Sequence, residues 1–153
     1  MHTSPDHIGT IRVHRGKVIR QGQMKSLIVE DDFGSRLLLQ ILLSRFGVCH
    51  IAVNRKEAIE AFRAAKEAGA GYDLICMDMI PEKDGQAALR AIRAQEEAAG
   101  VLSSDRVRVI LMTTLQDMRS MITAFKGLCD AYLVKPVDAT KLLDQLVILG
   151  LIA

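Results

Sequence analysis

From Lys25 onward the chain alternates short apolar runs with longer segments in which apolar residues recur every three or four positions, and it does so five times. Ser26-Leu27-Ile28-Val29 is a short apolar run ending in acid and predicts a strand. Leu37, Leu38, Ile41, Leu42 and Phe46 then recur at helical spacing until Gly47, which predicts a helix with these residues on its apolar face. Residues 48–53 form the second apolar run. Asn54-Arg55-Lys56-Glu57 resembles a capping box, and it predicts a helix through Ala68 closed by Gly69 and Gly71. Residues 72–77 are the third run. The helix expected after Asp84-Gly85 carries Ala88, Leu89 and Ile92 and runs out near Gly100. Residues 107–112 and 131–134 are the fourth and fifth strands, separated by a helix over about 116–126. Asp138 caps a last helix bearing Leu142, Leu143, Leu146 and Leu149.

Strands this apolar, each separated by a helix, belong to a parallel sheet covered on both faces. Such a doubly wound α/β sheet binds ligands outside the carboxyl ends of its strands, where the strand order reverses. The residues expected at that edge are Glu30-Asp31-Asp32, Asn54, Asp78, Thr113-Thr114 and Lys135-Pro136. Residues 1–23 hold few large apolar side chains and no sustained period, so they read as a flexible extension outside a domain spanning 24–153. His2, His7 and His14 are irregularly spaced there and fit a solvated tail better than a metal site.

At 153 residues, half of them apolar, the chain suffices for one substantial core. Its apolar runs are too short for a membrane span, and no secretory leader opens it, so the cytoplasm is the expected location. Cys49, Cys76 and Cys129 stand far apart without a CxxC pair and read as packing thiols. The net charge of +2 comes from the extension, where Arg12, Arg15, Lys17 and Arg20 face only Asp6. The remainder is slightly acidic, which argues against nucleic-acid binding.

The candidate chemistry follows from the shared edge. Carboxylates from different strands would converge with a hydroxyl and a lysine, and two carboxylates about 4 Å apart repel by about 4 kcal/mol at an effective dielectric near 20. A hard divalent cation answers that repulsion, and Mg²⁺ suits an all-oxygen site completed by waters and phosphate oxygens. Asp32 and Asp78 are the expected direct ligands, with Asp31 assisting through water. An ionised aspartate can also attack phosphorus, and Asp78, following the central strand, is the candidate nucleophile. Lys135 supplies an ammonium for the charge that develops on the phosphoryl oxygens.

The segments LIVEDDFGSR, YDLICMDMIPEKDG, VILMTT and DAYLVKP, in that order, resemble the receiver domains of bacterial two-component response regulators over residues 25 to about 150. No single segment is specific; their joint order and placement are. The resemblance implies a flavodoxin-like three-layer sandwich with five parallel strands in the order 2-1-3-4-5. It implies that Asp31 and Asp32 are the acidic Mg²⁺ pair, Asp78 the phosphoacceptor, and Lys135 the lysine that contacts the phosphoryl group, joined to Pro136 by a cis bond. Tyr132 matches the aromatic that changes rotamer on activation. The switch hydroxyl is Thr113 or Thr114: Lys135 lies 22 positions after Thr113, the family's usual interval, whereas a Met-Thr-Thr-Ala pattern would select Thr114. The implied partners are a histidine kinase or phosphotransfer protein as donor and a downstream protein target. The apolar ending VILGLIA is expected to pack on the domain or to serve a homodimer or partner surface.

One departure bears on the chemistry. Pro81 lies three residues after Asp78 and Asp84-Gly85 six and seven, one fewer than usual in the family, so the loop is short. That loop would lend a backbone carbonyl to the metal, here from Ile80. The short loop keeps open a degenerate receiver that binds proteins without taking up phosphate. Each residue also has a plainer reading: Asp31 or Asp32 as a helix cap, Asp78 as a turn former, Lys135 as a surface cation, Thr113 and Thr114 as strand formers, Tyr132 as core. An aspartate-nucleophile phosphatase of the haloacid dehalogenase type would need a second acid where Ile80 stands, so a self-catalysed switch is expected and not an enzyme with turnover.

Overall fold

The structure is a computed structural model and describes residues 11–14, 17–20, 22–78 and 81–153. Two short strands, β1 (Ile11–His14) and β2 (Lys17–Arg20), pair antiparallel and precede the main sheet. The main sheet comprises β3 (Ser26–Val29), β4 (Cys49–Ala52), β5 (Leu74–Asp78), β6 (Arg108–Thr113) and β7 (Ala131–Val134). All its pairings are parallel and run β4-β3-β5-β6-β7, which is the expected 2-1-3-4-5 order counted within the sheet. Four helices connect them, α1 (Phe33–Leu43), α2 (Arg55–Glu67), α3 (Glu82–Ala98) and α4 (Met118–Ala124), and α5 (Ala139–Ile148) follows β7.

Strand side chains alternate between faces, so each apolar strand feeds two cores at once. Leu27, Val29, Ile75, Met77, Val109 and Leu111 pack with Phe62 of α2, Leu89 and Ile92 of α3, and Phe125 after α4. Ile28, Leu74, Cys76, Ile110 and Met112 meet Leu39 and Leu43 of α1 and Leu142 and Leu146 of α5. Leu151 is buried in this second core, as the apolar ending required. All three cysteines are free thiols, and burial pushes Cys76 up to about 12.

Three sequence expectations change. The helix α1 is present, but its buried residues are Leu39, Leu42 and Leu43, while Leu37, Leu38 and Ile41 are 44%, 42% and 53% exposed. A run as apolar as Leu-Leu-Leu-Gln-Ile-Leu-Leu does not set its own phase. The Asp32 cap and the Met24 N–H bond to the Phe46 carbonyl fix its ends, and packing against Met24, Ile28 and Leu146 selects the face. The helix α3 starts at Glu82, ahead of Asp84-Gly85, because Pro81 takes the cap position and its carbonyl accepts the Asp84 and Gly85 N–H groups. The residues read as lying outside the core contribute β1 and β2, and Ile19 is buried in the second core. His2 and His7 lie outside the described residues.

The end of the sheet away from the acids is closed by a buried ion network. Arg93 donates to Glu96 at 2.8 Å and to the Val107 carbonyl at 2.8 Å, and Glu96 accepts the Val107 N–H at 2.7 Å. Asp130 accepts the Val109 N–H and pairs with Arg93. Removing one partner leaves a buried charge without compensation. Glu96→Ala is therefore expected to lower stability by about 3 kcal/mol, read from urea unfolding; a loss below about 1 kcal/mol would show the network to be solvated.

Candidate functional site

The chain reverses direction across the sheet between β3 and β5, and the carboxyl ends of these strands open a cleft there. Asp78 is the last residue of β5, its side chain nearly buried and ion-paired with the Lys135 ammonium from the end of β7. Glu30 follows β3 directly; its N–H donates to the Ala52 carbonyl at 3.0 Å, and only 2% of the residue is exposed. Burial first, then its hydrogen bond to Asp78 and the charge there, push the Glu30 carboxyl from 4.5 up to about 7. Asp31 and Asp84 line the same cleft, with Asn54, Arg55 and Gly85.

Asp31, Asp78 and Lys135 thus gather at one rim as expected. Asp32, expected from the sequence as a direct ligand, is placed at the start of α1 instead. Its carboxylate caps α1 by accepting the Ser35 N–H at 2.9 Å, and that bond holds its pKa below the usual carboxylate range. It borders a neighbouring groove with Leu38, Lys135, Pro136 and Val137. Glu30 was expected at this edge, but the sequence reading gave it no role. The signal was available: of three consecutive acids, the one directly before a helix is the natural cap, which leaves the two before it for the cleft. The backbone carbonyl assigned to Ile80 lies outside the described residues.

Thr113 ends β6, is 3% exposed, and its carbonyl accepts the Lys135 N–H at 2.7 Å, so the hydroxyl residue and the lysine are tied through the backbone. Thr114 is exposed; its hydroxyl donates to the Asp117 carboxylate at 3.0 Å and accepts the Asp117 N–H at 3.2 Å. Tyr132 is half-buried against the first core, where burial and the Cys129 thiol raise its phenol. The Lys135-Pro136 bond is cis.

The donor set of Glu30, Asp31 and Asp78, all oxygen and all carboxylate, fits a hard divalent cation. Among the described residues no three acids already stand at metal-ligand spacing. Between pH 4.5 and about 7 the folded chain holds a Glu30 proton that the unfolded chain has released, so metal-free stability falls as pH rises through that window. Unfolding midpoints measured in chelator against pH are expected to show this slope, and Glu30→Gln to flatten it. A wild-type midpoint that climbs over the same window would contradict the assignment.

A doubly wound parallel sheet with acids and a lysine gathered at its carboxyl edge defines a flavodoxin-like α/β domain with a polar site at its switch point. The chain belongs to the response regulator receiver domain family, whose model matches residues 26–147; it is a receiver domain of two-component signalling, a phosphoacceptor switch. It is 28% identical to the chemotaxis protein CheY of Listeria monocytogenes over 80% of this chain and 95% of that protein. It is 27% identical to the transcriptional regulatory protein ZraR of Salmonella typhimurium over 82% of this chain, but spans only 26% of that protein. Among solved structures, a complex of the Saccharomyces cerevisiae histidine phosphotransfer protein Ypd1 with the receiver domain of Ssk1 matches with a TM-score of 0.68 and 25% identity, covering 85% of this chain and 90% of that one. The receiver domain of the Pseudomonas aeruginosa sensor kinase PA1611, with magnesium coordinated in its active-site cleft, matches with a TM-score of 0.63 and 28% identity, covering 82% and 95%.

Proposed function

We propose that Asp78 accepts a phosphoryl group from a phosphohistidine of a partner protein and thereby changes the surface this domain offers to a downstream protein. The observation that carries the reading is the Asp78 carboxylate at the end of the central strand, held between buried Glu30 and the Lys135 ammonium. An Asp78 oxygen attacks phosphorus as the phosphorus–nitrogen bond to the donor imidazole breaks, and the imidazole leaves with the bonding pair and is reprotonated. Lys135 then leaves its pairing with Asp78 for a phosphoryl oxygen. A divalent cation such as Mg²⁺, held by Glu30, Asp31 and Asp78, would neutralise further charge on the phosphoryl oxygens. Thr113 moves its hydroxyl to a phosphoryl oxygen, and Tyr132 follows into the space it leaves, a population shift between two packings.

The cleft's surroundings support a protein donor. Phe33, Leu37, Leu38 and Ile41 leave an exposed apolar stripe on α1 that begins two residues after Asp31, and Leu38 also borders the groove leading to Lys135. A donor that must reach Asp78 lies over this stripe. Leu37→Asp with Ile41→Asp is expected to slow transfer from a phosphorylated histidine-containing protein about tenfold or more and to leave uptake from a small donor unchanged. Equal slowing of both would remove the stripe from the donor interface. No helix among the described residues is long and apolar enough to cross a membrane.

The test of the reading is direct. Incubation with acetyl phosphate and Mg²⁺, followed by intact mass, is expected to add one phosphoryl group, and chelation to prevent it. A chain that gains no mass is a protein-binding module that does not take up phosphate. The pairing of Asp78 with Lys135 beside buried Glu30 favours the switch over that alternative.

A further inference from the structure

We infer that Arg55 is a second cation of the phosphoryl site, a positioning residue that receives the phosphorylated donor on the wall of the cleft opposite Lys135. The inference rests on the reading of Asp78 as phosphoacceptor. Arg55 is the first residue of α2, directly after the Asn54 cap, and it lines the same cleft as Glu30, Asp31, Asp78 and Asp84. The strand β4, which leads into it, and β7, which leads into Lys135, lie on opposite sides of β5 in the sheet. A phosphoryl group on Asp78 would therefore meet an ammonium from one side and a guanidinium from the other.

Two features say that Arg55 answers the cleft and not its own helix. A cation at a helix N-terminus faces the positive end of the macrodipole, which costs about 0.3–1 kcal/mol, so α2 gains nothing from an arginine there. Its partner in the structure is Asp84, across the cleft at 3.8 Å, with both side chains about half exposed. That contact exists because α3 starts at Glu82, close behind Asp78, and brings Asp84 to the rim. A loose, solvated ion pair is worth little and exchanges easily. A phosphoryl dianion, which a planar guanidinium can grip through two N–H groups, is the stronger partner. Asp84 thus parks Arg55 until a donor arrives.

Uptake of phosphoryl groups from acetyl phosphate in Mg²⁺, followed by intact mass against donor concentration, tests this. For Arg55→Gln the half-saturating donor concentration is expected to rise about fivefold, with the maximal rate within about twofold of wild type. Arg55→Lys is expected to recover part of the loss, and Asp84→Asn, which releases Arg55, to lower half-saturation below wild type. Unfolding midpoints of the three variants should match wild type, since the pair is exposed. Half-saturation unchanged in Arg55→Gln and Asp84→Asn, or a fall confined to the maximal rate, overturns the role of Arg55 while leaving Asp78 as phosphoacceptor. A wild-type chain that takes up no phosphoryl group overturns both.

Discussion

Asp78→Asn is expected to take up no measurable phosphoryl group from acetyl phosphate in Mg²⁺, and its intact mass to stay that of the unmodified chain. The substitution keeps the size of the side chain at the end of β5 and removes the anionic oxygen that the proposed reading makes the nucleophile. It also dissolves the ion pair with Lys135, so the ammonium no longer has a fixed partner at the reacting atom. Neither neighbouring acid is expected to substitute, since Glu30 is buried and neither Glu30 nor Asp31 is ion-paired with Lys135 as Asp78 is. On that reading any residual rate should be at least about a hundredfold below wild type. Mass gain that survives in Asp78→Asn and is mapped by proteolysis to Glu30 or Asp31 would move the phosphoacceptor.

Gly47→Ala is expected to leave little folded protein, a destabilisation of about 4 kcal/mol or more. Gly47 has φ +152°, a conformation that residues with a side chain rarely adopt, and a Cβ there would stand 1.9 Å from the Met24 carbonyl oxygen and 2.7 Å from its nitrogen. Both atoms are backbone, and the Met24 N–H is already bonded to the Phe46 carbonyl. Relief would require moving the start of β3 against the turn that follows α1, where Met24, Leu39 and Leu43 are buried together. Thermal unfolding compared with a control at Gly69, where φ is +72° and no atom lies within 4 Å of an added Cβ, separates the two effects. The control carries backbone strain alone and should lose about 1 kcal/mol; equal losses at both positions would show that the Met24 contact contributes nothing.

The order of elements was legible in the chain because its cues are local. Four or five consecutive apolar residues bounded by polar ones suit a strand buried on both faces, and Asn54, Asp138 and Gly69 mark helix ends by hydrogen bonds within a few positions. Asp78 and Lys135 were legible for the same reason: each closes or follows a strand, and parallel strands bring their carboxyl ends together whatever the intervening helices contain.

Which acid does what was decided elsewhere. Glu30, Asp31 and Asp32 are chemically alike and adjacent, and only the point at which α1 begins turns Asp32 into a cap and Glu30 toward Asp78. The buried side of α1 was ambiguous because apolar residues lie all round it, so the contacts with Met24, Ile28 and Leu146 select the face. Arg55 and Asp84 meet only because a proline at position 81 starts α3 early. Local pattern settles which segments become strands and helices, because capping and burial act over a few residues. The direction of each side chain at the cleft depends on helix phase and strand packing, and those exist only once distant segments are in contact.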